Sequence, residues 1–250
     1  MATYKKKGYK KDRKAAQEAQ SATAEVFKTL DKSASRTEQW VAKNQKYIFV
    51  IIGVAAVAVL GYIGYTELIQ KPKEIEASNE MFYAQQYFDE AVNSADKDSL
   101  YNLALTGAEG KYGLLDIIDK YKGTKAANLA RYRAGMAYLN MSNYQEAIAQ
   151  LQKFSSDDMM LAPLAKGNIG DAFMQLNQPE DALSYYEEAF NYTVNEYLTP
   201  RFLFKAGITA RSLKQNDKAL SYFKRIKEEF PDSEEGRTID IYIGKLENLK

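Results

Sequence analysis

Cysteine and histidine are both missing from the chain's 250 residues. Without cysteine there is no disulfide and no thiolate, a state that suits an oxidising compartment and a reducing one equally. Without histidine, the commonest general base and the commonest transition-metal ligand are gone. No phosphate-cradling loop is recognisable. The neighbouring carboxylates Asp157 with Asp158 and Glu187 with Glu188 would leave a helix in different directions, as solvated charges rather than an acid and its base. An enzyme is therefore disfavoured, and no catalytic residue, cofactor, metal or small-molecule substrate is expected. Alternating strand patterns are missing too, since almost every window after the first third of the chain has helical periodicity.

Long apolar runs are scarce, with one exception: YIFVIIGVAAVAVLGYIGY, 47–65, carries no charge. As a helix rising about 1.5 Å per residue, the 18 residues 48–65 cover roughly 27 Å, close to the hydrocarbon thickness of a bilayer. A soluble core helix of this length would carry a polar stripe. A signal peptide would have a shorter apolar stretch near its start and small residues at its exit. Here 46 residues come first and Tyr62, Tyr65, Leu68 and Ile69 occupy the exit, so the run is expected to stay uncleaved. Trp40 and Tyr47 at one end, and Tyr62 and Tyr65 at the other, suit the two interfaces. Gly53, Val57, Gly61 and Gly64 fall within about 80° of one another on a helical wheel. They form either a packing face for another span or an instance of ordinary glycine usage in spans.

The net charge of +1 hides an asymmetry. Residues 1–46 carry 12 Lys/Arg against 5 Asp/Glu, a balance of +7, which leaves 22 against 28, or −6, for the remainder. By the positive-inside rule the tail is cytoplasmic and the large C-terminal region lies outside. The cluster KKKGYKKDRK, 5–14, either serves topology alone or also contacts anionic lipid or ribosomal RNA. Residues 15–30 and 37–46 have helical composition. The expected organisation is a basic tail over 1–46, a transmembrane helix over 47–68 and a linker over 69–75, where Pro72 interrupts the run. A helical domain then occupies 76–250.

Three segments of that domain align without gaps: NLARYRAGMAYLNMSNYQEAIAQLQKF (128–154), PLAKGNIGDAFMQLNQPEDALSYYEEAF (163–190) and PRFLFKAGITARSLKQNDKALSYFKRIKEEFP (200–231). Gly135, Gly170 and Gly207 correspond, as do Ala147, Ala182 and Ala219, with separations of 35 and 37 residues in both series. That period predicts stacked helical hairpins. A glycine in the first helix lets the second approach, and the alanine in the second accepts the contact. Tyr138, Phe173 and Ala210 are expected on the first helix's inner face, and Leu151, Tyr186 and Phe223 on the second's. SNY, NQPED and QNDK supply turns, and Pro231 ends the third unit.

At these positions the sequence resembles the tetratricopeptide repeat family, although the first unit lacks the closing proline and the large aromatic early in the first helix is displaced. The fold class expected is an all-helical solenoid of helical hairpins preceded by a single transmembrane helix. Residues 75–93 and the segment YGLLDIIDKYKGTKAANLA would form an atypical first hairpin, with 102–113 as a loop or shortened helix between them. DSEEGRTIDIYIGKLENLK would form a capping helix, with Asp232 or Ser233 as N-cap.

In such a solenoid the inward groove should display Leu129, Tyr132, Arg133 and Met136, then Asn168, Asp171 and Met174, then Arg201, Lys205, Ile208 and Arg211. These either form an adaptable peptide surface or pack against neighbouring helices. Asn168, Arg201 and Lys205 occupy three of the five places of the carboxylate clamp found in some tetratricopeptide domains, but Tyr132 and Met136 stand where a cation and an amide are needed. The whole-chain architecture is similar to that of the single-span ancillary subunits of the bacterial Sec translocon. This resemblance implies an inner-membrane protein with a periplasmic repeat domain, and partners among translocon subunits, secretory chains or periplasmic chaperones. The alternative is an envelope scaffold for cell-wall or outer-membrane coordination.

Overall fold

The computed structural model describes the backbone of residues 9–248, with side chains described from residue 38 and, before it, for Glu25, Val26 and Thr29. The basic side chains of the 5–14 cluster lie outside the described residues. Two compact units make up the chain, Met1–Glu67 and Leu68–Lys250. All regular structure among the described residues is helical.

The first unit is built on α1, Tyr9–Tyr65, so the helical composition of 15–30 and 37–46 is realised as one continuous helix with the apolar run. An 18-residue window of that run has a mean hydropathy of 2.4 and none of it is buried, which makes it long and apolar enough to cross a membrane. Trp40, Tyr47, Tyr62 and Tyr65 are all exposed at its ends. A π-helical turn, Thr66–Gln70, follows in the sequence.

The second unit opens with α2 (Lys71–Glu80), α3 (Phe82–Val92), α4 (Lys97–Thr106) and α5 (Leu114–Lys120). The linker expected over 69–75 is helical and tied down. Pro72 sits in the first turn of α2, where a missing N–H leaves no intrahelical bond unmade. The Glu74 carboxylate accepts from the backbone N–H groups of Lys125 at 2.6 Å and Ala126 at 2.7 Å. These are orphan donors at the start of the next helix, α6 (Lys125–Asn140), where negative charge is favoured. The Gln70 amide donates to the Gly123 carbonyl and the Tyr121 hydroxyl to Glu76. The atypical first hairpin also differs from expectation: 75–93 is broken at Met81 into two helices, and α3 packs on α4 while α5 packs on α6. Helix α4 ends at Gly107, whose φ of 77° is a left-handed conformation, and an added Cβ there would lie 2.1 Å from the Lys111 carbonyl oxygen.

The repeats follow as hairpins: α6 with α7 (Tyr144–Leu151), α8 (Leu161–Gln175) with α9 (Pro179–Tyr192), and α10 (Leu198–Ser212) with α11 (Asn216–Glu229). Ala147, Ala182 and Ala219 are fully buried, as the alignment required. Opposite each repeat glycine stands the bulky residue one turn after that alanine. A Cβ on Gly135 would meet Leu151 Cγ at 2.6 Å, one on Gly170 would meet the Tyr186 ring at 2.6 Å, and one on Gly207 would meet the Phe223 ring at 2.3 Å. The first helices end alike. Ser142, Asn177 and Lys214 have φ of 62°, 56° and 61°, and the following N–H reaches back to the carbonyl of Tyr138, Phe173 or Ala210 at 2.8–2.9 Å. This is the six-to-one bond of a Schellman end, formed here three times without glycine.

The capping helix α12, Ile239–Glu247, begins later than expected. A 3-10 turn, Gly236–Thr238, comes first; ahead of it the Ser233 hydroxyl accepts from the Gly236 N–H at 2.9 Å, and a Cβ on Gly236 would stand 2.1 Å from the Phe230 carbonyl oxygen. Ile239, Ile243 and Leu246 then cover Phe223, Ile226 and Phe230, closing the last apolar face of the stack.

Candidate partner-binding groove

Helices α8 and α10, with the end of α6 and the start of α7, enclose a groove of about 530 Å³. Leu139, Tyr144, Met174, Phe204 and Ile208 supply its apolar lining, and Asp171, Gln175, Tyr186, Lys205 and Thr209 its polar one. Asp171 and Lys205 come from corresponding faces of successive repeats. The Lys205 ammonium donates to both carboxylate oxygens of Asp171 at 2.6 Å, and the Tyr186 hydroxyl donates to one of them at 2.7 Å. Burial, reinforced by the Asp171 charge, pushes the Tyr186 phenol well above the ordinary tyrosine range, so it stays protonated and donating. The aliphatic and cationic end of Lys205 also lies over the Tyr186 and Phe202 rings, 5.8 Å from each centroid.

Of the eleven residues expected on this surface, Asp171, Met174, Lys205 and Ile208 line the groove. The first-repeat members are engaged within the unit. Leu129 packs into the N-terminal core, Tyr132 stacks obliquely on Phe154, and Arg133 pairs with Asp89 of α3 at 3.0 Å while lying over Phe88. Asn168 is 6% exposed, and its side-chain amide donates to the Met136 sulfur at 3.1 Å. Arg201 is exposed against the Phe202 ring, and Arg211 is half-buried on α10. The partial carboxylate clamp is therefore not assembled: Asn168 is buried, and Lys205 is held by an acidic residue of the protein itself.

Sequence reasoning missed Leu139, Tyr144, Gln175, Phe204 and Thr209, and placed Tyr186 only in the hairpin interior. Phe204 had a signal. Its column through the repeats reads Tyr132, Gly167, Phe204, while the column two residues earlier reads Ala130, Ala165, Phe202. The aromatic missing at Gly167 is replaced from the next repeat, because the Phe202 ring lies where a Cβ on Gly167 would stand, 1.9 Å from its nearest atom.

In α1, Gly53, Val57 and Gly61 are exposed and Gly64 is partly covered; a Cβ on any of the three glycines would meet nothing within 4 Å. Among the described residues of the first unit, none packs against these glycines.

Comparison with known proteins bears on the second unit. No curated protein matches the chain. The family model described as tetratricopeptide repeat matches residues 132–193 and, in a second register, 168–234. These spans cover α8 to α11 and most of α6 and α7, the helices whose glycine, alanine and Schellman positions recur. Residues 132–234 thus match tetratricopeptide repeats, a module of protein–protein interaction, in a chain that also has a helix long and apolar enough to span a membrane.

Proposed function

We propose that the chain is a single-span protein of the bacterial inner membrane whose repeats, on the periplasmic side, receive or organise secretory clients or their chaperones beside the Sec translocon. The observation that carries this reading is the combination, in one chain, of an exposed apolar helix behind a +7 tail with a repeat scaffold that keeps an open groove lined from all three repeats. The charge balance supports a cytoplasmic tail with the repeats outside. The groove supplies the binding surface, and the small-residue face of α1 supplies a contact for a neighbouring span.

Photocrosslinkers placed at Ile208 in the groove and at Val57 in α1, in intact cells, test the reading. Capture of unfolded secretory chains or chaperones at the first position and of translocon subunits at the second is expected. Capture of cell-wall synthases at both, with no translocon component, would replace this reading with that of an envelope scaffold. Protease added to spheroplasts should digest the repeats and spare the tail; the reverse pattern would overturn the orientation.

A further inference from the structure

The groove contains one acidic and one basic residue, and they are spent on each other. Lys205 makes two 2.6 Å bonds to Asp171, whose carboxylate also accepts from Tyr186. Both members of the pair are about three-quarters buried, with side-chain exposures of 27% and 28%, so they are poorly screened by water. The Thr209 hydroxyl is likewise committed, donating to the Lys205 carbonyl at 2.8 Å. What faces an incoming partner is the hydrocarbon of Leu139, Met174, Phe204 and Ile208, the ring of Tyr144 and the exposed amide of Gln175.

We propose that this groove takes uncharged, apolar segments of extended polypeptide and rejects carboxylates, with Asp171 as the specificity-determining residue. The inference rests on the proposed role of the repeats in binding polypeptide and names the chemistry that the groove selects. Asp171 sits where a ligand carboxylate would meet Lys205. A second carboxylate entering the groove finds Lys205 already neutralised and could pair with it only by displacing Asp171 from a bidentate, hydrogen-bonded arrangement. A ligand ammonium faces the converse problem, because Asp171 is already neutralised. A neutral apolar side chain meets neither obstacle and buries surface against the thioether of Met174, an adaptable contact. Specificity here arises from charges already committed to each other within the protein as much as from the apolar lining.

The test uses the full chain in mild detergent and fluorescence anisotropy with three labelled, C-terminally amidated peptides of equal length, one neutral and apolar, one carrying internal Asp, and one carrying internal Lys. The neutral peptide should bind at least about tenfold more tightly than either charged one. Ile208→Asp should abolish its binding. Asp171→Asn should release Lys205 and narrow the gap between the acidic and neutral peptides by about tenfold. Lys205→Gln, which keeps the fold testable if Asp171→Asn does not fold, should instead favour the Lys-bearing peptide. Arg201→Ala removes the exposed cation outside the groove and should leave the neutral peptide's affinity unchanged. Equal affinity for the neutral and acidic peptides, or an unaltered ranking in both the Asp171 and Lys205 variants, would overturn the proposal while leaving polypeptide binding intact. If no peptide binds, the selection of extended segments is wrong, and the crosslinking outcome at Ile208 decides independently whether a folded partner uses the groove.

Discussion

A methyl group added to Gly170 in α8 would meet the Tyr186 ring at 2.6 Å, whereas one added to Gly53, Gly61 or Gly64 in α1 would meet nothing within 4 Å. The residue type is the same, but the reasons for being small differ. In the repeats the space left by glycine is filled by the chain itself, and the filling residue changes from Leu151 to Tyr186 to Phe223 as the stack proceeds. In α1 the space is open. Small residues in a water-soluble hairpin answer to an aromatic or aliphatic neighbour; small residues in an apolar span, where burial against lipid gives no drive to associate, matter only if a second helix comes close. The comparison predicts large effects of added bulk in one unit and none on folding in the other.

The largest effect is expected where a glycine and its filler come from different repeats. Phe202→Ala should cost about 3–5 kcal/mol, as loss of a fully buried ring. Gly167→Ala alone should also destabilise, since the new methyl meets that ring, but in the Phe202→Ala background the clash disappears. Chemical denaturation of both single variants and the double should therefore show a combined cost smaller than the sum by about 1 kcal/mol or more. Additive costs would mean that the two columns do not compensate each other. Within one hairpin, Gly170→Leu should cost about 1–3 kcal/mol, because the Tyr186 ring and the Ala182 carbonyl leave no room. An unchanged melting temperature would break the comparison at its centre.

Tyr186 does two things at once, filling the space over Gly170 and donating to Asp171, and Tyr186→Phe separates them. It keeps the ring and removes the hydrogen bond to a charged acceptor, an expected cost of about 1–2 kcal/mol at neutral pH. The pH dependence has a definite sign. The folded-state value for Tyr186 is raised above that of an unfolded tyrosine, so its contribution is complete below about pH 10 and is lost as pH climbs toward the folded value. Wild type should lose stability above about pH 10 more steeply than Tyr186→Phe. Tyr222, raised by burial and by its bond to Glu187, keeps some of that slope in the variant. Identical alkaline profiles would show that the phenol is not held protonated by its surroundings.

A smaller, stabilising effect is expected at the helix ends. Lys214 adopts a left-handed conformation that costs a residue with a side chain more than it costs glycine, so Lys214→Gly should raise stability by about 0.5–1 kcal/mol. The gain at Asn177 should be smaller, since asparagine tolerates that conformation. A loss at Lys214 would mean that its exposed side chain contributes more than the backbone strain removes.

What could be read in advance follows the same division between local and distant causes. The hairpins were legible because Gly170 and Ala182 recur as Gly207 and Ala219 at matching distances, a pattern fixed by contacts within each repeat. The helical start of the second unit was not, since Pro72 looks like an interruption until Glu74 is found bonding N–H groups 51 and 52 residues away. Helix α4, left open between a loop and a shortened helix, runs to Thr106 because the glycines only end it, and its start at Lys97 carried no signal. The groove was partly legible: helical spacing put Asp171, Met174, Lys205 and Ile208 on one face, but the pairing of Asp171 with Lys205 crosses between repeats and cannot be seen in either alone. Nor could spacing reveal that Asp89 of α3 would occupy Arg133.

The smallest effect on folding is expected in α1, and it is the one that sharpens the comparison most. Replacing Gly53 and Gly61 together with Leu adds two large side chains to positions with open space around them. Leucine is at least as favourable as glycine in hydrocarbon, so insertion and the melting temperature of the repeats should both stay at their wild-type values. Under the proposal that this face seats another span, only association should suffer, because close approach of two helices in lipid depends on packing that the added bulk prevents. The control is Val50→Leu with Val54→Leu, which enlarges other exposed positions of the same helix. Co-purification in mild detergent should then recover less of a membrane partner with the glycine variant than with the control. Equal recovery would show that the glycines of α1 leave a space that no partner fills; a fall in repeat stability would show instead that the two sets of glycines are not independent.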